Sequence, residues 1–277
     1  MMAPSPTTSS TISPAPLYGK RIRQPIGGDF AFSREVARFY ADQAVWSTDV
    51  ARFGIDIWMT TSAITNNFRI CQSNLGMKVH DAKDPSIHLG PMFRQVTWTL
   101  FNLMEVYEDF WKDVRGSTAM ETFGMKEYAE PEPVAVNLDA LVEKFRAGFR
   151  HFGVLWKQIF CLRCYQEIEN AARLSTDDFT LPIDAWVQVL YELAATFHAW
   201  KDNRYKLVEL VEPLYYGRVA SFVNQSKDMD SRQAEELIEE QAKIFEARKD
   251  YLVEVWEEKE REEEANRMQG EKMPLYL

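Results

Sequence analysis

The second half of the chain follows the 3.6-residue periodicity of amphipathic helices almost throughout. The clearest example predicts a single helix over residues 231–268, which Ser231 is suited to cap. Its apolar positions form one helical stripe, made of Leu237, Ile244, Phe245, Leu252 and Trp256. An apolar stripe must be buried against another element, so residues 137–268 predict a helical bundle.

Residues 17–115 carry a mixed pattern. "DFAFSREVARFYAD" and "FGIDIWMTTSAITNN" predict helices, "FRICQSNLGMKVHD" alternates like a β-strand, and a long helix is expected to begin near Pro91. The predicted fold class is therefore mostly α (α+β), with a partial α/β segment followed by a C-terminal helical bundle.

Composition marks the boundaries of these regions. Residues 1–16 are rich in Pro, Ser and Thr and predict a disordered lead-in. Residues 116–136 contain Gly, Ser, Thr and two prolines and predict a linker, while residues 269–277 form a short tail.

Charge and cysteine content limit the class of protein. A formal net charge of −10 disfavours nucleic acid as a partner, and no apolar run approaches the 18 residues of a transmembrane helix. The three cysteines suggest a reducing compartment, hence a cytoplasmic location. Cys161 and Cys164 form a C-x-x-C inside a helical pattern without a second pair at zinc spacing, which favours buried apolar cysteines over a metal or redox site.

Several polar clusters in the first region could carry chemistry. In the loop Gln24–Asp29, the adjacent Gly27 and Gly28 would let ligand oxygens approach backbone N–H groups, although a tight turn explains them equally well. Asp56 falls in a first helical turn, where it either complements the helix dipole or acts as a base. His80 stands where the predicted strand ends, between Lys78 and Lys83, and suits metal or phosphate contact.

The order of "QPIGGDFAFSREV", "FGIDIWMT" and "MKVHD" resembles the second half of the catalytic domain of GT-A glycosyltransferases of the mannosylglycerate synthase and family-2-like type. The resemblance covers residues 17–115. It implies a hexosyltransferase-like enzyme that moves a sugar from a nucleotide-sugar donor to a small hydroxyl acceptor.

The resemblance also implies roles for the matching residues. The loop with Gln24, Gly27, Gly28 and Asp29 would lie beside the sugar and the acceptor. Asp56 would contact the acceptor or act as its base. His80 would bind a divalent metal, Mg²⁺ or Mn²⁺, on the nucleotide diphosphate, and the charges of Lys78 and Lys83 suggest that they assist at the phosphates.

The sequence departs from the family at its start. The first half of such a domain would supply a nucleotide-binding βαβ unit and an Asp-x-Asp metal motif, and the "DMD" at residues 228–230 lies between helical segments instead of at a strand end. We therefore expect a fragment or N-terminally truncated enzyme, with the metal bound only in a complete nucleotide site. The alternatives are a partner chain or homo-oligomer that supplies the missing half, and a non-catalytic helical interaction or scaffold protein derived from a glycosyltransferase.

Overall fold

A computed structural model describes residues 14–75, 85–124 and 136–269 of the chain. These residues are mostly helical and end in a bundle, which confirms the predicted fold class. The α-helices are α1 (Pro14–Tyr18), α2 (Arg34–Ala41), α3 (Ile55–Thr65), α4 (Pro85–Val106), α5 (Glu108–Asp113), α6 (Leu138–Ile159), α7 (Leu162–Arg173), α8 (Ile183–Ala199), α9 (Arg204–Ser226), α10 (Ser231–Ala247) and α11 (Lys249–Gln269). A 3₁₀ helix spans Asp49–Ala51.

Four two-residue strands pair in parallel. They are β1 (Lys20–Arg21) with β3 (Thr118–Ala119), and β2 (Gln72–Ser73) with β4 (Thr122–Phe123). Two of these strands come from the segment predicted as a linker. Of the predicted strand at residues 68–79, the described part forms only β2, and residues 76–79 lie outside the described ranges.

The core is centred on α8, whose residues are buried on nearly every side. A helix that is apolar all round belongs in an interior, and α8 accordingly packs against α4, α6, α7, α9, α10 and α11. One cluster of buried side chains extends from Leu17 and Phe101 to Trp186 and Trp256, so residues on both sides of the predicted linker share it.

The starts of two early helices differ from the sequence prediction. Helix α2 begins only at Arg34, after Ser33, whose hydroxyl accepts a hydrogen bond from the Val36 N–H at 3.2 Å. Helix α4 begins at Pro85 instead of near Pro91, because a proline in the first helical position loses no intrahelical bond. Pro91 lies inside this helix.

The predicted single helix over residues 231–268 is wrong, because the chain forms α10 and α11 with Arg248 between them. The cap is Asp230, not Ser231. The Asp230 side chain accepts from the Gln233 N–H at 2.8 Å, and the Gln233 side chain accepts from the Asp230 N–H at 2.9 Å, which forms a capping box.

None of the helices in the described ranges is both long and apolar enough to cross a bilayer.

Lys249, the first residue of α11, fixes the N-terminal segment to the bundle. Its buried ammonium donates to the carbonyl oxygens of Pro16 (2.8 Å) and Trp111 (2.6 Å), and burial lowers its pKa to about 8. A single side chain therefore joins α1, α5 and α11.

Replacing Lys249 by methionine keeps the apolar stem but removes both hydrogen-bond donors. We expect the free energy of unfolding to fall by about 2 kcal/mol, with earlier proteolytic cleavage near α1. Chemical denaturation and limited proteolysis measure both effects, with the exposed Lys206→Met as the control. Equal losses in the two variants would contradict an anchoring role for Lys249.

Candidate functional site

The Gln24–Asp29 loop forms a tight turn that depends on its glycines. Gly28 has a φ of +76°, in the left-handed region that side chains with a Cβ rarely adopt. A Cβ on Gly27 would lie 3.2 Å from the Gln24 carbonyl oxygen. Gln24, Gly28 and Asp29 are exposed, so the turn presents them at the surface.

Buried contacts hold this loop in place. The Pro25 carbonyl accepts a hydrogen bond from the buried Thr60 hydroxyl of α3 at 3.1 Å. Just before the loop, the Arg23 N–H donates to the Gln72 side chain at 2.7 Å, and the Arg23 guanidinium pairs with Glu235 of α10. Contacts with three separate elements therefore hold the loop and the residue before it in place.

Asp56 lies on the helix face that supports the loop. It sits in the first turn of α3, one turn before Thr60, and residues four apart share a helix face. Since Thr60 contacts Pro25, the half-buried Asp56 carboxylate lies one turn further along the same face. The Thr60–Pro25 hydrogen bond thus links the Gly-Gly loop to the helix that carries Asp56.

Gly54, just before α3, allows the start of this helix to lie close against α4. A Cβ on Gly54 would lie 2.1 Å from the Thr99 hydroxyl oxygen and 3.0 Å from the Asp49 carbonyl oxygen. The absence of a side chain therefore lets the helix start pack directly on α4.

An aromatic cluster follows the loop. The rings of Phe30 and Phe32 stack at 6.0 Å, Phe32 meets Tyr40 edge-on at 5.3 Å, and Tyr40 lies 5.1 Å from Trp58 of α3. The sequence pattern placed Phe30 and Phe32 within a helix, but both precede α2 and remain partly exposed, at 37% and 44%. Exposed aromatic faces suit the apolar C–H face of a sugar ring.

A polar cleft of about 490 Å³ lies next to this cluster. Trp46 and Trp98 line it together with Asp49 and Arg52, and Trp46 packs edge-on against Trp58 at 5.5 Å. None of the residues predicted from the sequence lines this cleft. Sequence reasoning missed it because its walls come from the 3₁₀ helix and α4, which only the fold brings together.

The start of α2 lies some distance from the loop, and three of the predicted site residues lie outside the described ranges. Helix α2 begins five residues after Asp29, and the Ser33 hydroxyl already satisfies one of its free N–H groups. Lys78, His80 and Lys83 lie outside the described residues.

The C-x-x-C was predicted inside a helix, and this is wrong for Cys161. Helix α6 ends at Ile159, and Cys161 is the exposed N-cap of α7. The Cys161 sulfur accepts a hydrogen bond from the Cys164 N–H at 3.4 Å. Cys164 is buried as predicted. Burial, together with the nearby charge of Glu192, raises the pKa of the Cys164 thiol.

Potential metal ligands gather at two places within the described ranges. One group is Cys161, Cys164 and Glu192, and the other is Glu108, His198 and Glu260. Neither group includes Asp56. The described residues thus assemble no three-ligand site for Mg²⁺ or Mn²⁺ around Asp56, and that expectation stays a prediction.

Neither a scan against protein-family models nor a search of curated proteins finds a match to this chain.

Proposed function

We propose that the chain is the acceptor-side part of a glycosyltransferase that uses a nucleotide-sugar donor. The observation that carries the proposal is the hydrogen bond from Thr60 to Pro25, which joins the Gly-Gly loop to the helix face of Asp56. This hydrogen bond supports the proposal because the two motifs also follow one another in the resembling enzymes. The left-handed Gly28 and the exposed rings of Phe30 and Phe32 support the same function.

In this function, the Asp56 carboxylate accepts a hydrogen bond from the acceptor hydroxyl. If the enzyme inverts, Asp56 takes the hydroxyl proton while the oxygen forms the new bond to the anomeric carbon and the nucleoside diphosphate leaves. The Gln24–Asp29 loop orients the acceptor through its exposed backbone and side chains. We derive no step through a metal, because the described residues gather no ligand set at Asp56.

The donor nucleotide needs a further binding segment. The two strand pairs of the described residues are two residues long, which is too short for a nucleotide-binding βαβ unit. We therefore expect the chain by itself to bind nucleotide sugars weakly. Metal binding by His80, phosphate contacts by Lys78 and Lys83, and a cytoplasmic location also stay predictions.

Asp56→Asn tests the acceptor site. We expect the variant to lose about tenfold or more in affinity for small hydroxyl acceptors. The reason is that the charged carboxylate, which accepts a hydrogen bond from the ligand's hydroxyl, is replaced by a neutral amide. Ligand-observed NMR on the full chain, with a panel of monosaccharides, polyols and hydroxy acids, measures this loss.

Asp109→Asn is the matched control, since Asp109 is also a first-turn acid but belongs to α5. Unchanged acceptor binding in Asp56→Asn would remove Asp56 from the site. Failure of every acceptor in the panel to bind the unmodified chain would reject the proposed function in favour of the scaffold alternative.

A further inference from the structure

Two thiols and a carboxylate meet where α6 ends and α7 begins. The ligand atoms of Cys161, Cys164 and Glu192 all lie within 4.8 Å of one another, and the Cys164 sulfur is 3.9 Å from a Glu192 oxygen. We call these three residues the thiol–carboxylate cluster. A tetrahedral zinc ion with Zn–S bonds of about 2.3 Å would hold its ligand atoms roughly 3.8 Å apart, close to this spacing.

The fold holds each member of the cluster in place before any ion binds. The Cys161 sulfur accepts from the Cys164 N–H, which fixes it over the first turn of α7. One Glu192 oxygen accepts from the Cys161 N–H at 2.7 Å, and the other accepts from the Tyr251 hydroxyl. Hydrogen bonds that orient ligands in this way are typical of built metal sites.

In the part of the chain that the structure describes, Glu192 is a buried acid without a basic partner. It lies in the middle of α8 and is only 4% exposed. Within residues 14–75, 85–124 and 136–269, no lysine or arginine forms an ion pair with it. Buried carboxylates are normally paired with a cation or coordinate a metal, so a bound cation would stabilise Glu192.

Access to the cluster is available from one side. Cys161 is exposed, whereas Cys164 and Glu192 are buried behind it. An ion can therefore enter at Cys161 and be enclosed by the other two ligands.

We propose that the thiol–carboxylate cluster binds a divalent zinc ion. Cys161 and Cys164 supply two thiolates, Glu192 supplies a carboxylate oxygen, and water completes a tetrahedron. As the two Zn–S bonds form, the two S–H bonds break and both protons pass to solvent, so no oxidant or reductant takes part. Thiolate ligands select zinc over magnesium or manganese, which separates this site from the metal expected at a nucleotide diphosphate.

The site would tie three helices together. Cys161 and Cys164 belong to the start of α7, Glu192 to α8, and Tyr251 reaches the carboxylate from α11. The proposal does not depend on the glycosyltransferase function, and either can fail alone.

Zinc titration of the reduced, chelator-stripped full chain tests the proposal, with a chromophoric chelator as competitor. We expect one zinc ion per chain and a higher melting temperature when it is bound. Replacing zinc by cobalt(II) should give thiolate-to-cobalt charge-transfer bands together with the visible bands of a tetrahedral ion.

Cys161→Ser removes a zinc ligand without disturbing the fold, because serine is a good N-cap and preserves the start of α7. Loss of a hydrogen bond to a metal ligand already weakens metal sites about 10- to 100-fold, so removal of a ligand should lower zinc affinity at least about 100-fold. Glu192→Gln should lower the affinity while the cobalt complex keeps its thiolate bands. Cys71→Ser, which removes the third cysteine, an exposed one, is the matched control and should bind zinc like the unmodified chain.

Three results would overturn the proposal. The first is a reduced chain that takes up no zinc. The second is equal zinc loss in Cys71→Ser and Cys161→Ser. The third is a Cys161–Cys164 disulfide formed on mild oxidation of a chain that binds no zinc when reduced, which would make the pair a redox couple instead.

Discussion

Gly148→Ala is expected to lower the free energy of unfolding by about 3 kcal/mol, the upper end of what overpacking usually costs. A Cβ at this position would lie 2.1 Å from Cβ and 2.5 Å from Cγ of Pro213. Atoms at that separation overlap severely, so one of the two helices, α6 or α9, must move.

Pro213 cannot move aside as a flexible side chain would. Its ring is closed onto the backbone inside α9, so relief requires a shift of the helix itself. The next close contact along the same pair, Gly217, restricts that shift, because a Cβ there would lie 2.5 Å from the buried Phe145 ring. The close approach of α6 and α9 therefore depends on a glycine in each helix.

Gly153→Ala is the matched control in the same helix. Its added Cβ would meet only the Phe149 ring, at 3.6 Å or more, which is ordinary contact. Alanine is favoured over glycine in helix interiors by about 1 kcal/mol, so this variant should be as stable as the unmodified chain or more so. Chemical denaturation followed by circular dichroism measures the stability of both variants. A Gly148→Ala variant as stable as the unmodified chain would contradict the close contact between α6 and α9.

The contrast between Gly148 and Gly153 shows how far sequence reasoning reaches. Periodicity predicts helices such as α8 and α9 because a helix depends on near neighbours. It does not reveal which residue of a distant helix each glycine meets. The two glycines lie five positions apart in one helix, yet only the tertiary contact with Pro213 separates their expected effects.

The candidate sites also combine features that the local sequence predicts with features that depend on tertiary contacts. The Gly-Gly pair allowed either a tight turn or contact with a ligand, and Gly28 adopts the left-handed conformation of a turn. Asp56 was correctly expected in a first helical turn. The hydrogen bond between Thr60 and Pro25 joins residues 35 positions apart and could not be read from spacing. Glu192 was missed as a ligand for a similar reason, since inside a helical apolar run it looks like any polar residue of α8.

The Glu105 carboxylate of α4 connects this helix to the end of α8 and the start of α9. It lies 3.3 Å from the His198 ring nitrogen and 3.3 Å from the Lys201 ammonium, and it pairs with the Arg204 guanidinium. Partial burial raises the pKa of Glu105, but the contacts with His198, Arg204 and Lys201 outweigh it and lower the pKa from its ordinary 4.5 to about 2.

A lowered pKa in the folded state means that the carboxylate stabilises the fold at neutral pH. Because the unfolded chain binds the proton more tightly, this contribution is fully present above a pH of about 4.5 and is lost as the pH falls through about 2. With allowance for partial exposure of the side chain, the contribution is on the order of 2 kcal/mol.

Glu105→Gln should therefore be less stable than the unmodified chain near neutral pH, by on the order of 2 kcal/mol, and the difference should shrink as the pH falls toward about 2. Urea denaturation at a series of pH values measures both curves. Glu143→Gln is the control, because Glu143 forms an exposed pair with Arg150 that water screens, and its curve should follow that of the unmodified chain. A Glu105→Gln curve that stays parallel to that of the unmodified chain down to low pH would show that the carboxylate's charge does not hold α4 to α8 and α9.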